Sequence, residues 1–412
     1  MNARKKAVRL FESVGIQLEY VVVDRGSLEV RPVVDRILEG TGGGVEISIE
    51  HGDISWHSEL ATHIFELRTT VPVKNLDRLG RKLRKEVKAV NKTLRAHGAM
   101  LLPTGSHPFM DPRTETRLWE HGQREVHQLR HVLFDLKTHS WSNVFSANLE
   151  LPFANDEEFA RLHAAVRLLL PLIPALAASS PYHEGRFTGF LDSRMEAYLH
   201  AQEEHPDLMG SMIPEPIYDQ ETYYREIYGP IVKVLAEHDP SSILDHVHMN
   251  SRGAVPFFER NVLQIRVVDT QECVSADMAI AEFITVVLKA LISGRWVSSY
   301  VQRAWPETDL LGIFLQVIKD AGNTMIANRD HLLMFGLLKQ EQMQAMKLWQ
   351  HLFVELYGDL SENCRQCIGH ILEHGCLATR ILRRAGRTPS HGMLLEVYKE
   401  LAVCLAEDRS FT

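Results

Sequence analysis

Three apolar stretches of this chain each carry two polar side chains spaced two residues apart: Gln17 with Glu19, Asn148 with Glu150, and Gln264 with Arg266. Backbone alternation in a strand sends residues i and i+2 to one face, so each pair shares a face while its apolar neighbours share the other. The surrounding stretches 15–23, 142–151 and 262–268, and a fourth at 61–69 that carries Glu66, therefore predict strands with one polar and one apolar side. Taken singly, such pairs fit an antiparallel sheet that packs helices on one face and meets water on the other.

Between and after these strands the apolar period changes. Leu76, Leu79, Leu83, Val87, Val90 and Leu94 recur at helical spacing, with Asn75 placed to cap the start and Gly98 the end. Asn155 with Glu158 resembles a capping box, opening a helix through Leu162, Val166 and Leu169 that Pro171 disrupts. Beyond Ala276 nearly everything reads as helix, with amphipathic stretches at 332–338, 346–357, 368–385 and 393–406. The expectation is an α+β fold in one domain over 1–412, sheet-rich through 275 and mainly helical from 276 to 412.

Composition narrows the function classes. A net charge of −8 disfavours nucleic acid as a partner, and the Lys/Arg-rich run from Arg78 to Arg95 reads as a solvated helix face. The first ten residues lack the apolar core of a secretory leader, and the longest apolar segment, 162–178, is interrupted by His163, Arg167, Pro171 and Pro174. Five cysteines in 412 residues fit a reducing compartment better than a disulfide framework. These readings give a cytoplasmic protein with no membrane and no nucleic-acid role as the expectation.

An ordered set of motifs goes further. Gly15-Ile16-Gln17-Leu18-Glu19-Tyr20 is followed by Ser58-Glu59-Leu60-Ala61-Thr62-His63-Ile64-Phe65-Glu66-Leu67, then His107-Pro108-Phe109-Met110-Asp111-Pro112 and Trp141-Ser142-Asn143. Ile213-Pro214-Glu215-Pro216, Asn250-Ser251-Arg252-Gly253 and Ile265-Arg266-Val267-Val268-Asp269 continue the series. Together they resemble the γ-glutamylcysteine-synthetase-like carboxylate-amine ligases, the bacterial type 2 glutamate-cysteine ligases. The resemblance implies a glutamine-synthetase-type fold, in which a curved, mainly antiparallel sheet forms a funnel for ATP, Mg²⁺ and two substrates. It also implies activation of a glutamate-like carboxylate as an acyl phosphate and its transfer to an amine. Carried over by motif, Glu19, Glu59 and Glu66 would be magnesium ligands, Asn250 and Arg252 would lie near the nucleotide, and Arg266 would face the transferring phosphate.

The chain departs from the family at chemically loaded positions. Gln17 and Gln264 stand where the family has Glu, Asn148 where it has a metal-binding His, and Val247 where a Glu is expected. An amide oxygen can still ligate a hard cation, but without the charge that drives affinity. Glu150, on the face of Asn148, is a candidate to return a carboxylate to the metal site or to contact substrate. Arg194 is a candidate to hold a substrate carboxylate through its guanidinium fork, with a structural ion pair as the competing reading. Two functions remain open: an active ligase with a rearranged metal set, and a weak or inactive ligase-like protein that binds a ligand or serves as a partner subunit, with a homo-oligomer also allowed.

Weaker signals lie elsewhere. Cys364, Cys367, His370, His374 and Cys376 are zinc-type residues, but they fall on what reads as a single helix, whereas closed zinc sites usually draw on two segments. His246 and His248 alternate in a strand-like stretch and read as hydrogen-bonded core histidines before metal ligands. The chain carries no Walker loop, no Rossmann fingerprint and no Gly-x-Ser-x-Gly elbow.

Overall fold

The computed structural model describes residues 8–40 and 43–412; the start of the N-terminal segment read above for a leader lies outside them. Its main sheet has eight strands: β1 (Gly15–Asp24), β2 (Ser48–His51), β3 (Ile54–Ser58), β4 (Ile64–Thr69), β5 (Ala99–Leu102), β6 (Ala147–Pro152), β9 (Ala254–Phe257) and β10 (Val262–Ile265). A small hairpin of β7 (Tyr182–His183) and β8 (Arg186–Phe187) stands apart. The order is β2-β3-β4-β1-β6-β10-β9, and every pairing is antiparallel. The long central strand β1 pairs with β6 over its first half and with β5 over its second.

Alternation assigns the two faces. Ile16, Leu18 and Tyr20 of β1 lie level with Leu67, Phe65 and Leu149 on neighbouring strands, and all are buried. The helix Leu76–Leu94 lies against β3 and β5, and it also contacts the helix Val274–Ile292. Asn75 caps the first of these helices as expected, its side chain accepting from the Arg78 amide at 2.8 Å. Each fully buried Leu or Val on that seam, such as Leu83 and Val90, removes enough apolar surface to contribute about 1.5–3 kcal/mol.

The second expected helix starts at its cap, with Asn155 accepting from the Glu158 amide at 3.0 Å, and runs over Asp156–Leu169. Pro171 converts the next turn to a 3-10 helix, after which Ile173–Ala177 resumes. The stretch Asp156–Ala177 is long and apolar enough for a bilayer, yet 94% of its most apolar window is buried inside the protein. Two other expectations are corrected. The stretch 368–385 is two helices, Glu362–His374 and Leu377–Ala385, broken at Gly375, whose φ of 90° a side-chain-bearing residue rarely adopts. Residues 332–338 hold only the end of a short helix, Arg329–Leu333, followed by turns.

Candidate active site

The polar face follows from register. Across β4, β1 and β6, Arg68 stands opposite Gln17 and Gln17 opposite Asn148, while Glu66 stands opposite Glu19. One step along, Glu150 of β6 faces Gly15 on one side and Gln264 of β10 on the other. Gly15 leaves room there: a Cβ would press on Glu150 Cβ and Oε2 at 3.0 Å, so a larger residue would need Glu150 to shift by a few tenths of an ångström. Gln17, Glu19, Glu59, Glu66, Asn148, Gln264 and Arg266 line one cavity of about 230 Å³, and Glu150 lies in its floor, hydrogen-bonded to Gln17 and Gln264. All three same-face pairs and Glu66 are thus brought together on one side of one sheet.

One end of the cavity is acidic. Carboxylate oxygens of Glu19, Glu59 and Glu66 lie within 4.8 Å of one another. Glu19 Oε2 accepts from the Ser146 amide at 2.8 Å and lies 2.9 Å from its hydroxyl. Arg68 donates to Glu66 Oε2 at 3.2 Å, and its Nε stands 2.7 Å from Oε1. Burial, then the Glu66 charge, pushes the Glu19 pKa up to about 7; burial, then Glu66 and Glu19, pushes Glu59 up to about 8. Burial raises Glu66 as well, against Arg68. Three desolvated carboxylates with one arginine among them are short of positive charge, and crowded oxygen ligands are what Mg²⁺ binds. The donor set fits a hard divalent cation held by Glu19, Glu59 and Glu66.

The amide positions form a different kind of corner. Gln17 Nε2 donates to Glu150 Oε1 at 3.0 Å, Gln264 Nε2 donates to Gln17 Oε1 at 3.1 Å and to Glu150 Oε1 at 3.3 Å, and Asn148 Nδ2 donates to Gln17 Oε1 at 3.3 Å. Arg260 closes the group, with Nη2 at 3.0 Å from Glu150 Oε1 and Nη1 at 3.3 Å from Oε2. Glu150 therefore does not join the acidic cluster as a metal ligand; an arginine and two amides hold it. Arg260 did not stand out in the sequence, because it sits in the turn between β9 and β10 with no motif around it.

Arginines line the same cavity. Arg266 donates through Nε to Gln264 Oε1 at 2.7 Å and through Nη1 to the Asn250 carbonyl at 2.9 Å, and its guanidinium lines the cavity. Arg130, from the helix Arg124–Phe134, also lines it, stacked at 5.4 Å over Trp141. Among the described residues it has no hydrogen bond or ion pair, and burial lowers its pKa against the pull of Glu59. Sequence reasoning missed Arg130 because an arginine on a polar helix is ordinarily solvated; here the helix packs against Trp141 and His205 through Phe134, and Arg130 stacks on Trp141 beside the cavity.

Two predicted arginines are already engaged. Arg194 lines the cavity, but its Nε pairs with buried Asp269 and its Nη atoms donate to the Arg266 carbonyl at 3.2 Å, so the structural ion pair accounts for its fork. Asp269 also accepts from the Ser179 amide and the Ser180 hydroxyl, both at 2.8 Å, and Gly105 leaves room for it where a Cβ would collide with the carboxylate. Arg252 forms a two-pronged pair with Glu215 and donates to Asn250 Oδ1 at 3.0 Å, while Asn250 Nδ2 donates to the Tyr223 hydroxyl at 2.9 Å. Arg252 and Asn250 thus brace the floor under Arg266 and do not themselves line the opening.

The remaining candidates lie elsewhere. His246 and His248 belong to a short helix, His246–Met249, not to a strand; His248 reaches the cavity rim and sits 3.0 Å from Asp245. Val247, partly buried, packs beside Val255, Phe257 and Val262 in a small apolar cluster. The cysteines are free thiols; Cys364 is buried with its Sγ 3.4 Å from the Ala279 carbonyl. Among the described residues only Glu19, Glu59 and Glu66 gather closely enough to hold a metal ion.

One face of a mainly antiparallel sheet thus carries a carboxylate cluster and a set of arginines, and helices cover the other. The chain belongs to glutamate-cysteine ligase family 2, whose model matches residues 13–400. An uncharacterized protein from Archaeoglobus fulgidus is 32% identical over 277 residues, covering 67% of this chain and 74% of that protein. A relative from Rubrobacter xylanophilus, provisionally named a glutamate–cysteine ligase 2-1, is 27% identical over 45% of this chain and 46% of its own length. Among solved structures, the glutamate–cysteine ligase of Francisella tularensis in complex with AMP superposes with a TM-score of 0.60 at 11% identity, covering 99% of this chain and 90% of that one. The family model carries the family membership, and the Francisella structure, at 11% identity, shares the fold.

Proposed function

We propose that the chain is an ATP-dependent carboxylate-amine ligase that activates a glutamate-like acid as an acyl phosphate and joins it to an amine. The observation that carries this reading is the charge content of one cavity, which is lined by the clustered carboxylates of Glu19, Glu59 and Glu66 and by the guanidinium groups of Arg266 and Arg130. A Mg²⁺ held by the three glutamates would supply positive charge to phosphoryl oxygens during transfer. Arg266, braced by Gln264 and the Asn250 carbonyl, is positioned to neutralise the migrating phosphoryl group, while Arg130 offers an unpaired guanidinium to an anionic substrate group. In the first step a carboxylate oxygen attacks the γ-phosphorus and the bond to the β-phosphate oxygen breaks, releasing ADP. In the second the amine nitrogen attacks the acyl carbon, phosphate leaves and the nitrogen loses a proton.

A second reading, binding of nucleotide or a partner without turnover, draws on the amide corner, where Gln17, Asn148 and Gln264 satisfy one another instead of offering charge. ADP release from MgATP, screened over glutamate and related acids with a panel of amines and amino acids, separates the two. Release that requires one acid and one amine supports the ligase. Tight MgATP binding with no release for any pair supports the binding protein.

A further inference from the structure

We infer that Arg260 stands as a built-in guanidinium where a second divalent cation would otherwise serve Glu150, so that the chain binds one divalent cation, at Glu19, Glu59 and Glu66, and none beside Glu150. The inference rests on the cavity being the nucleotide and cation site proposed above.

The argument is an accounting of lone pairs. Glu150 is 6% exposed, and a carboxylate so buried requires countercharge. Arg260 provides it, one nitrogen on each oxygen at 3.0 and 3.3 Å, with its half-exposed guanidinium lying 4.5 Å over the Phe257 ring. A hard cation needs several oxygens that converge with free lone pairs. Here each nearby oxygen already faces a donor: Glu150 Oε1 faces Gln17, Gln264 and Arg260, Gln17 Oε1 faces Asn148 and Gln264, and Gln264 Oε1 faces Arg266. Flipping the Gln17 amide would set its oxygen against Glu150 and its nitrogen against the Gln264 and Asn148 donors, so the network itself fixes which atom points where. The acidic end is the reverse case. Glu59 receives no side-chain hydrogen bond among the described residues, and the donors to Glu19 and Glu66 are Ser146 and Arg68 alone. One sheet face thus separates a cation-binding end from an end whose positive charge is part of the polypeptide.

The test is Mn²⁺ stoichiometry on the full chain, read from the electron paramagnetic resonance signal of free Mn²⁺, with and without a non-hydrolysable ATP analogue. The expected result is one Mn²⁺ per chain in both conditions, an affinity loss of more than about tenfold in Glu66→Gln, and unchanged stoichiometry in Glu150→Gln. Gln17→Glu combined with Arg260→Ala, shown to be folded by its thermal melt, is expected to gain a second Mn²⁺. Two Mn²⁺ per wild-type chain, no Mn²⁺ at all, loss of the ion in Glu150→Gln, or no gain in the folded double variant each overturns the inference. If the double variant does not fold, the wild-type stoichiometry alone decides. One bound Mn²⁺ without ADP release would sink the ligase reading and leave this inference standing; two bound with ADP release would do the opposite.

Discussion

Glu59 concentrates the residue-scale physics of the cavity: a carboxylate with no donor among the described residues, beside two others, with a pKa pushed up to about 8 by burial and then by Glu66 and Glu19. The sign of the resulting pH dependence follows directly. A carboxylate whose folded-state pKa is raised binds more protons folded than unfolded, so the metal-free protein should lose stability as pH rises from about 4.5 through about 8. Mg²⁺ needs the deprotonated groups, so its affinity should rise over the same window with protons released on binding. Calorimetry at pH 6.5 in two buffers of different ionisation heat checks this; a heat that does not depend on buffer refutes it. The same logic predicts that Glu66→Gln raises the metal-free melting temperature at pH 8 while abolishing the Mg²⁺-induced increment. Arg130 gives the opposite-sign case. Arg130→Met removes an unpaired cation, so the ligand-free protein should melt no lower than wild type, while kcat/KM for ADP release falls at least about tenfold, or ~1.4 kcal/mol of transition-state stabilisation. A lower melting temperature with unchanged kcat/KM would make Arg130 structural.

At the scale of elements, alternation made the sheet legible and side-chain hydrogen bonding set its limits. The stretch 142–151 reads as one strand, yet only Ala147–Pro152 is one, because Ser142 and Asn143 bond elsewhere: Ser142 Oγ with Thr116 Oγ1 at 2.8 Å, and Asn143 Oδ1 with the His107 amide at 2.7 Å. In the same way β4 starts at Ile64 and not at 61, since Ala61 turns to bridge Leu118. Register could not be read at all; it is what sets Glu150 between Gly15 and Gln264, and so it decides that Glu150 meets amides and Arg260 and not the acidic cluster. In the helical part, apolar period alone ran through Gly375, where the backbone turns to positive φ and a Cβ would meet Thr379 Cγ2 at 2.9 Å. Gly375→Ala is therefore expected to destabilise by roughly 1–3 kcal/mol. An unchanged denaturant midpoint would show that the break between Glu362–His374 and Leu377–Ala385 tolerates a side chain.

For the whole molecule, the sheet-rich and helical parts are joined by a buried charge. Arg380, on Leu377–Ala385, donates through Nη1 to Glu272 Oε1 and to the Phe411 carbonyl, both at 2.6 Å, and both charged side chains are 1% exposed. Glu272 follows the strand Val262–Ile265 of the main sheet by a few residues and precedes the helix Val274–Ile292, which packs against Glu362–His374 on one side and Leu76–Leu94 on another. Such a pair ties the helical part to the segment that carries Arg266 and Asp269, so the two parts are expected to unfold as one unit. Breaking it from one side should cost far more than removing it, because a lone buried charge has nowhere to go: Arg380→Met is predicted to destabilise by about 3–5 kcal/mol. The double variant Arg380→Met with Glu272→Leu should recover most of that loss, and the difference measures the coupling. Urea unfolding followed by Trp fluorescence and by far-ultraviolet circular dichroism checks both claims, since Trp56, Trp119 and Trp141 lie in the sheet-rich part and Trp296, Trp305 and Trp349 in the helical part. Coincident curves and a recovering double variant support one cooperative body; two separated transitions, with Arg380→Met shifting only the helical one, would divide the chain into two domains that fold apart.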